Sequence, residues 1–264
     1  MKILFFGDIV GEPGRRAVKK ILPQWQEKYC PDAILANAEN LAHGSGITEK
    51  SLNEILEAGV DLLTSGNHIF DKKEAWSLLE NKNFPLTRPA NWSQGVPGQG
   101  YRILTKGLKK ILAINLSGRL FMKEALDCPF READRILEEF QDEKINAIIV
   151  DFHAEATSEK KSLGYYLDGR VAAVLGTHTH IPTADARILS GGTAYISDVG
   201  MVGVSDSVLG VKKEIALKGF LTQIYQRLEV AEGTVEIDAV LLETNDKTGL
   251  AKSIERLEAI VELN

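Results

Sequence analysis

Met1-Lys2-Ile3-Leu4-Phe5-Phe6-Gly7-Asp8 opens the chain, followed by Glu12-Pro13-Gly14 and then by Ala33-Ile34-Leu35-Ala36-Asn37-Ala38. The first apolar run, ended by a glycine and an aspartate, reads as a buried strand. Glu12-Pro13-Gly14 opens a helix, because proline is tolerated in a first turn, and Val18, Ile21, Leu22 and Trp25 fall on one helical face. Ala33 to Ala38 is a second apolar run of strand length. Strand, helix and strand in this order are a βαβ unit, which implies a parallel sheet covered by helices.

The alternation continues outward from this unit. Thr48 caps a helix bearing Leu52, Ile55 and Leu56, and residues 61–65 form a third strand. A helix through Trp76 and Leu79 ends near Asn81, and a Pro/Gly-rich stretch over residues 85–100 reads as a loop. Residues 101–105 and 110–116 then suit a hairpin, 131–140 a helix, and 146–151 and 170–175 strands. Beyond Ala186 the runs 188–189, 194–196, 220–227 and 235–242 look like antiparallel strands, closed by a chain end rich in glutamate and lysine. The expected fold class is α/β, with two packed mixed β-sheets flanked by helices in one domain over residues 1–264.

Composition narrows the function classes. At 264 residues, 44% hydrophobic and 26% charged, the chain can bury a full core without staples. Its net charge is −6, with lysines and arginines scattered rather than striped, so the footprint of a general nucleic-acid binder is missing. Cys30 and Cys128 are the only cysteines, each followed by proline, which supports neither a disulfide framework nor a thiolate metal site and fits a reducing cytoplasm. Asp8 breaks the N-terminal apolar run before it reaches the roughly 7–15 residues of a secretory h-region. No stretch approaches the roughly 20 apolar residues of a membrane span. A soluble protein is expected, and a homo-oligomer by the commonness of symmetric assemblies.

The chemistry sits at the ends of apolar runs. Gly7-Asp8, Glu39-Asn40, Gly66-Asn67-His68, Asp151-Phe152-His153 and Gly176-Thr177-His178-Thr179-His180 each follow an expected strand. In α/β sheets ligands bind outside the carboxyl ends of the strands, so these clusters can meet in one crevice. In an extended segment residues i and i+2 share a face, which would let His178 and His180 converge. Each piece alone has a plainer reading. Asp8 can form a turn, Glu39-Asn40 can solvate a loop, and Asn67 can take a left-handed conformation. Asp71 in Asp71-Lys72-Lys73-Glu74 reads as a helix cap rather than a catalytic group, while His43 in a Gly-rich loop is open to either substrate contact or exposure. Together the inventory is oxygen from one aspartate, one glutamate and two asparagines, and nitrogen from three histidines. That mixed set without thiolate suits Mn, Fe or Zn, and seven ligands exceed what one ion of that size takes. Two ions sharing a carboxylate would use them, and such a pair acts on phosphoesters.

In this order the motifs resemble the calcineurin-like metallophosphoesterase superfamily, whose pattern runs Asp-x-His, Gly-Asp, Gly-Asn-His, a lone His, then Gly-His-x-His. Val10 stands where that pattern has its first histidine, and Glu39 where it has a bridging aspartate. With Asn37-Ala38-Glu39-Asn40-Leu41-Ala42-His43-Gly44 and the stretch from Asp151 to Lys160, the chain is similar to the bacterial YmdB-like subgroup over nearly its whole length. The resemblance implies a four-layer α-β-β-α sandwich and two divalent or mixed-valence transition ions. One would be held by Asp8, Glu39, Asn40 and His180, the other by Glu39, Asn67, His153 and His178, with Glu39 bridging and Asn40 replacing the missing histidine. His68 would be the general acid toward the leaving oxygen or an electrophilic partner of the phosphoryl group. The implied activity is hydrolysis of phosphodiesters, with 2′,3′- and 3′,5′-cyclic nucleotides as substrates. The alternatives are a regulatory nucleotide- or partner-binding protein with weak catalysis, motivated by Val10, and a phosphomonoesterase. The last would need Arg15, Arg16, Arg88 or Arg119 to reach the site.

Overall fold

A computed structural model describes residues 1–263. Along β1 (Lys2–Ile9) successive side chains point opposite ways, and both directions are buried. Leu4, Phe6 and Ile9 pack beneath α1 (Gly11–Tyr29), where Phe6 stacks on Trp25 at 5.5 Å. Ile3 and Phe5 face a second sheet. Burial on both faces explains why this strand is apolar throughout rather than alternating.

The remaining elements follow the same logic. β2 (Ala33–Asn37), α2 (Glu49–Glu57), β3 (Leu62–Thr64) and α3 (Glu74–Glu80) complete the first half. Thr48 caps α2 in a reciprocal capping box with Ser51. The hairpin of β4 (Tyr101–Lys106) and β5 (Lys109–Ser117) leads through α4 (Pro129–Glu139), β6 (Ala147–His153), α5 (Thr157–Tyr166) and β7 (Ala173–Thr177). β8 (Arg187–Ile188), β9 (Ala194–Ile196), β10 (Met201–Val204), α6 (Lys213–Thr222), β11 (Val235–Thr244) and β12 (Ala251–Val261) follow. Two six-stranded sheets result, ordered β12-β11-β10-β1-β2-β3 and β4-β5-β6-β7-β9-β8. One core lies between them, a second under α1 and α2, and a third under α4 and α5, so the layers run α-β-β-α as expected. β1, β2 and β3 run parallel in one sheet, and β5, β6 and β7 in the other. Asn115 at the end of β5 clamps Ser65 beyond β3 through both amide atoms, donating to its carbonyl at 2.8 Å and accepting from its N–H at 2.9 Å. The carboxyl ends of both sheets are thereby held side by side.

Two expectations fail in the second half, and one long strand was not foreseen. Residues 220–227 are not a strand: the chain runs as α6 to Thr222 and continues without regular structure. Phe220, Leu221, Ile224 and Tyr225 are strand formers by composition, yet all four are largely exposed, so composition misled where no core claims them. The glutamate-rich chain end is the eleven-residue strand β12, an edge strand whose charged side chains face water. β9, expected to be antiparallel, pairs antiparallel with β8 but parallel with β7, and the parallel strand β10 beside β1 is an addition.

Candidate metal centre

All five polar clusters meet at the paired strand ends. The register of β1 against β2 shifts between Phe6 and Asp8, a bulge of the kind that re-aims a side chain at a sheet end. Gly7 is required there, because a Cβ would lie 2.0 Å from the Gly200 carbonyl oxygen. Asp8 is fully buried, with one carboxylate oxygen accepting from the His178 N–H at 3.1 Å and the other, Oδ1, lacking any hydrogen-bond partner. Asn40 donates from Nδ2 to the Gly44 carbonyl at 2.9 Å, and its Oδ1 is likewise buried without a partner. Buried polar atoms of this kind need an explanation, and a bound cation is one.

Glu39 stands at the centre. Its carboxylate groups with Asp8 and His180, and separately with His153 and His178, each set having ligand atoms within 4.8 Å of one another. His153 Nε2 lies 3.1 Å from Glu39 Oε2, 3.1 Å from Asn67 Oδ1 and 3.0 Å from His178 Nδ1, so four donor atoms converge on one point. Gly66 allows this approach, since a Cβ there would fall 2.2 Å from Glu39 Oε2 and 2.3 Å from the His153 ring. The other ring nitrogens are engaged outside the cluster. His153 Nδ1 meets Thr177 Oγ1 at 3.0 Å, which donates to Asp151 at 2.7 Å. His178 Nε2 lies 3.1 Å from Glu155, and His180 Nδ1 is 3.2 Å from the Leu209 carbonyl. Outer partners that fix ring orientation in this way are the usual support of metal-binding histidines.

His178 and His180 reach their places differently from the extended pairing expected of them. Their φ angles are 101° and 62°, a left-handed region that non-glycine residues avoid, so the loop kinks and each ring serves a different side of Glu39. Asp198 holds the kink: its Oδ2 accepts from the Thr179 N–H at 3.0 Å, the Thr179 hydroxyl at 2.7 Å and the buried Lys160 ammonium at 2.8 Å.

Charge within the cluster is strongly coupled. Burial raises the Asp8 carboxyl well above its ordinary range, helped by the neighbouring Glu39 and Asp198 carboxylates. Burial opposes ionisation of Glu39 too, but His153, with His68 and His178, outweighs it and holds the carboxyl down at about 2. His153, disfavoured as a cation by burial, is nevertheless raised to about 9 by Glu39 and Asp8, whereas burial and the His153 charge lower His178 to about 3. Two buried carboxylates that demand positive charge, two unpartnered oxygens and a nitrogen/oxygen donor set without sulfur fit divalent metal ions.

Asp71 overturns its reading as a helix cap. Lys73 precedes α3 without any side-chain cap, and the Asp71 carboxylate instead lies 2.7 Å from His68 Nδ1 and accepts from the Ser45 hydroxyl. His68 borders the cleft, and its contact with Asp71 makes a histidine–aspartate dyad there. Sequence reasoning also passed over Asn37, Thr64 and Thr177, which surround Asp151, and the Lys160–Asp198 pair. Asp151 and Lys160 lie inside the motifs quoted above, which is the available signal. His43 borders a different cavity with Glu12 and Arg16. Arg15 pairs with Glu54, Arg88 with loop carbonyls, and Arg119 lines a separate hollow. Among the described residues no lysine or arginine lines the cleft.

A family model described as YmdB-like protein matches residues 4–257. The chain belongs to the YmdB-like family. It is 46% identical to the 2′,3′-cyclic-nucleotide 2′-phosphodiesterase of Bacillus subtilis (strain 168), over 97% of this chain and 96% of that one. The crystal structure of a hypothetical protein from Thermus thermophilus is 44% identical, with a TM-score of 0.91 and 99% of each chain covered. A 5′-nucleotidase precursor from the same organism, 12% identical with a TM-score of 0.61 over 99% of this chain and 54% of that one, shares the fold. No helix among the described residues is long and apolar enough to cross a membrane.

Proposed function

We propose that this chain is a dinuclear metal-dependent phosphodiesterase that opens cyclic nucleotides, 2′,3′-cyclic ones foremost. The observation that carries the reading is the two-sided cluster on Glu39, with the unpartnered oxygens of Asp8 and Asn40 beside it. Asp8, Glu39, Asn40 and His180 would hold one ion, and Glu39, Asn67, His153 and His178 the other. Mn, Fe or Zn suits these donors. Bound there, two such ions supply Lewis acidity to the phosphoryl group and an activated water as nucleophile.

The protein's own groups do the rest. Asp71 accepts from His68 Nδ1–H, which fixes the ring and leaves Nε2 as the nitrogen available to the substrate. His68 carries the proton from Nε2 to the leaving oxygen as general acid. A cleft without lysine or arginine suits a singly charged diester better than a dianionic monoester. The 46% identity to a cyclic-nucleotide phosphodiesterase supports the substrate class. Unpaired Cys30 and Cys128 fit a cytoplasmic setting, and a homo-oligomer is the assembly we expect. The test is hydrolysis of 2′,3′-cyclic AMP against p-nitrophenyl phosphate with added Mn: preferential cleavage of the cyclic diester is expected, and preference for the monoester would overturn the reading.

A further inference from the structure

The cleft has a second wall that the chemistry above does not use. One cavity of about 740 Å³ is lined both by His68 and His180 and by Ile215, Phe220, Ile224 and Tyr225. α6 buries none of its residues, and Phe220 and Tyr225 are 80% and 89% exposed. Large apolar groups held in water beside a cluster of candidate metal ligands mark a ligand-binding surface. Gln223, at φ 55°, ends α6 in a left-handed turn, which lets residues before and after it border the same cavity. An occupant anionic at one end and flat and weakly polar at the other would match both parts of this cavity.

We infer that Phe220 and Tyr225 form a stacking subsite for the base of the substrate whose phosphate lies at the metal cluster; this rests on the phosphodiesterase reading above. Aromatic faces accept any base, so the subsite confers affinity for nucleotides without a strong choice among bases. The Gln223 amide, in the same cavity, offers both donor and acceptor to a base edge.

The test compares 2′,3′-cyclic AMP with ribose 2′,3′-cyclic phosphate, which has no base, in Mn-loaded parent, Phe220→Ala, Tyr225→Ala and Tyr225→Phe proteins. Stacking predicts that kcat/KM for the nucleotide relative to the base-free compound falls about tenfold in the alanine variants, mainly through KM, and is largely restored in Tyr225→Phe. A ratio that does not move in either alanine variant overturns the subsite. So does a drop in assembly mass by light scattering on the same substitutions, which would make the face a contact between copies of this chain. A parent protein that cleaves neither compound instead fails the phosphodiesterase reading itself, a separate result.

Discussion

Asp71 changes meaning once its neighbours are known, because a carboxylate 2.7 Å from His68 Nδ1 sets the tautomer and aim of the ring. Asp71→Asn should therefore keep metal content and lower kcat about tenfold or more, whereas His68→Ala should keep metal and lose about 10²–10⁴-fold in kcat, the range of general acid catalysis. Metal loss in the His68 variant, measured by plasma mass spectrometry, would contradict the assigned role. Asp238 on β11 gives a prediction away from the cleft. Burial, with Glu236 and Glu258 adding to it and the Met201 N–H and Arg256 opposing, raises this carboxyl to about 7. In the unfolded chain it titrates near the ordinary value of about 3.9. Between those values the folded state binds more protons, so stability falls as pH rises through the window from about 4 to about 7. Asp238→Asn should gain little Tm near pH 4 and progressively more up to about pH 7, with no further gain above. A pH-independent difference in thermal unfolding would contradict this.

The loop after β7 shows how an element can be built for its side chains rather than for its own stability. Two histidines sit at positive φ, and the Lys160–Asp198 pair, buried on both sides, ties Thr179 between them. Lys160→Met leaves Asp198 charged and unpaired, a loss of about 3–5 kcal/mol for a broken buried pair. Calorimetry should show Tm lower by about 10 °C, and metal titration should show affinity lower by about tenfold. Unchanged affinity in a folded variant would mean that the pair supports only the fold. The strands and helices of the first half could be read because their burial leaves plain patterns, a run apolar on both faces in β1 and a one-sided helical period in α2. α6 and β12 could not, for opposite reasons: α6 is apolar without a core to serve, and β12 is charged because it is an edge. The kink at His178 and His180 leaves no trace in composition, since its cause is a hydrogen-bond network that closes through Asp198, distant from Lys160 in the chain.

At the scale of the whole molecule, two sheets contribute to one centre because their parallel strands end on the same side and Asn115 fastens them there. The eight residues proposed for the site, Asp8, Glu39, Asn40, Asn67, His68, His153, His178 and His180, were expected together because each lies at or just beyond the end of an apolar run. Their supports were hidden because Asn37, Thr64, Thr177 and Asp198 are ordinary polar residues until the fold brings them to Asp151 and Thr179. Glu39, common to both candidate ligand groups, is the residue on which the proposed dinuclear site depends. The most direct test is to count transition metal per chain and assay 2′,3′-cyclic AMP hydrolysis on the same samples of parent and Glu39→Ala. About two ions per parent chain, with metal and turnover lost together in the variant, is the predicted result. A variant that keeps both ions, or a parent that turns over the substrate with none, would contradict it.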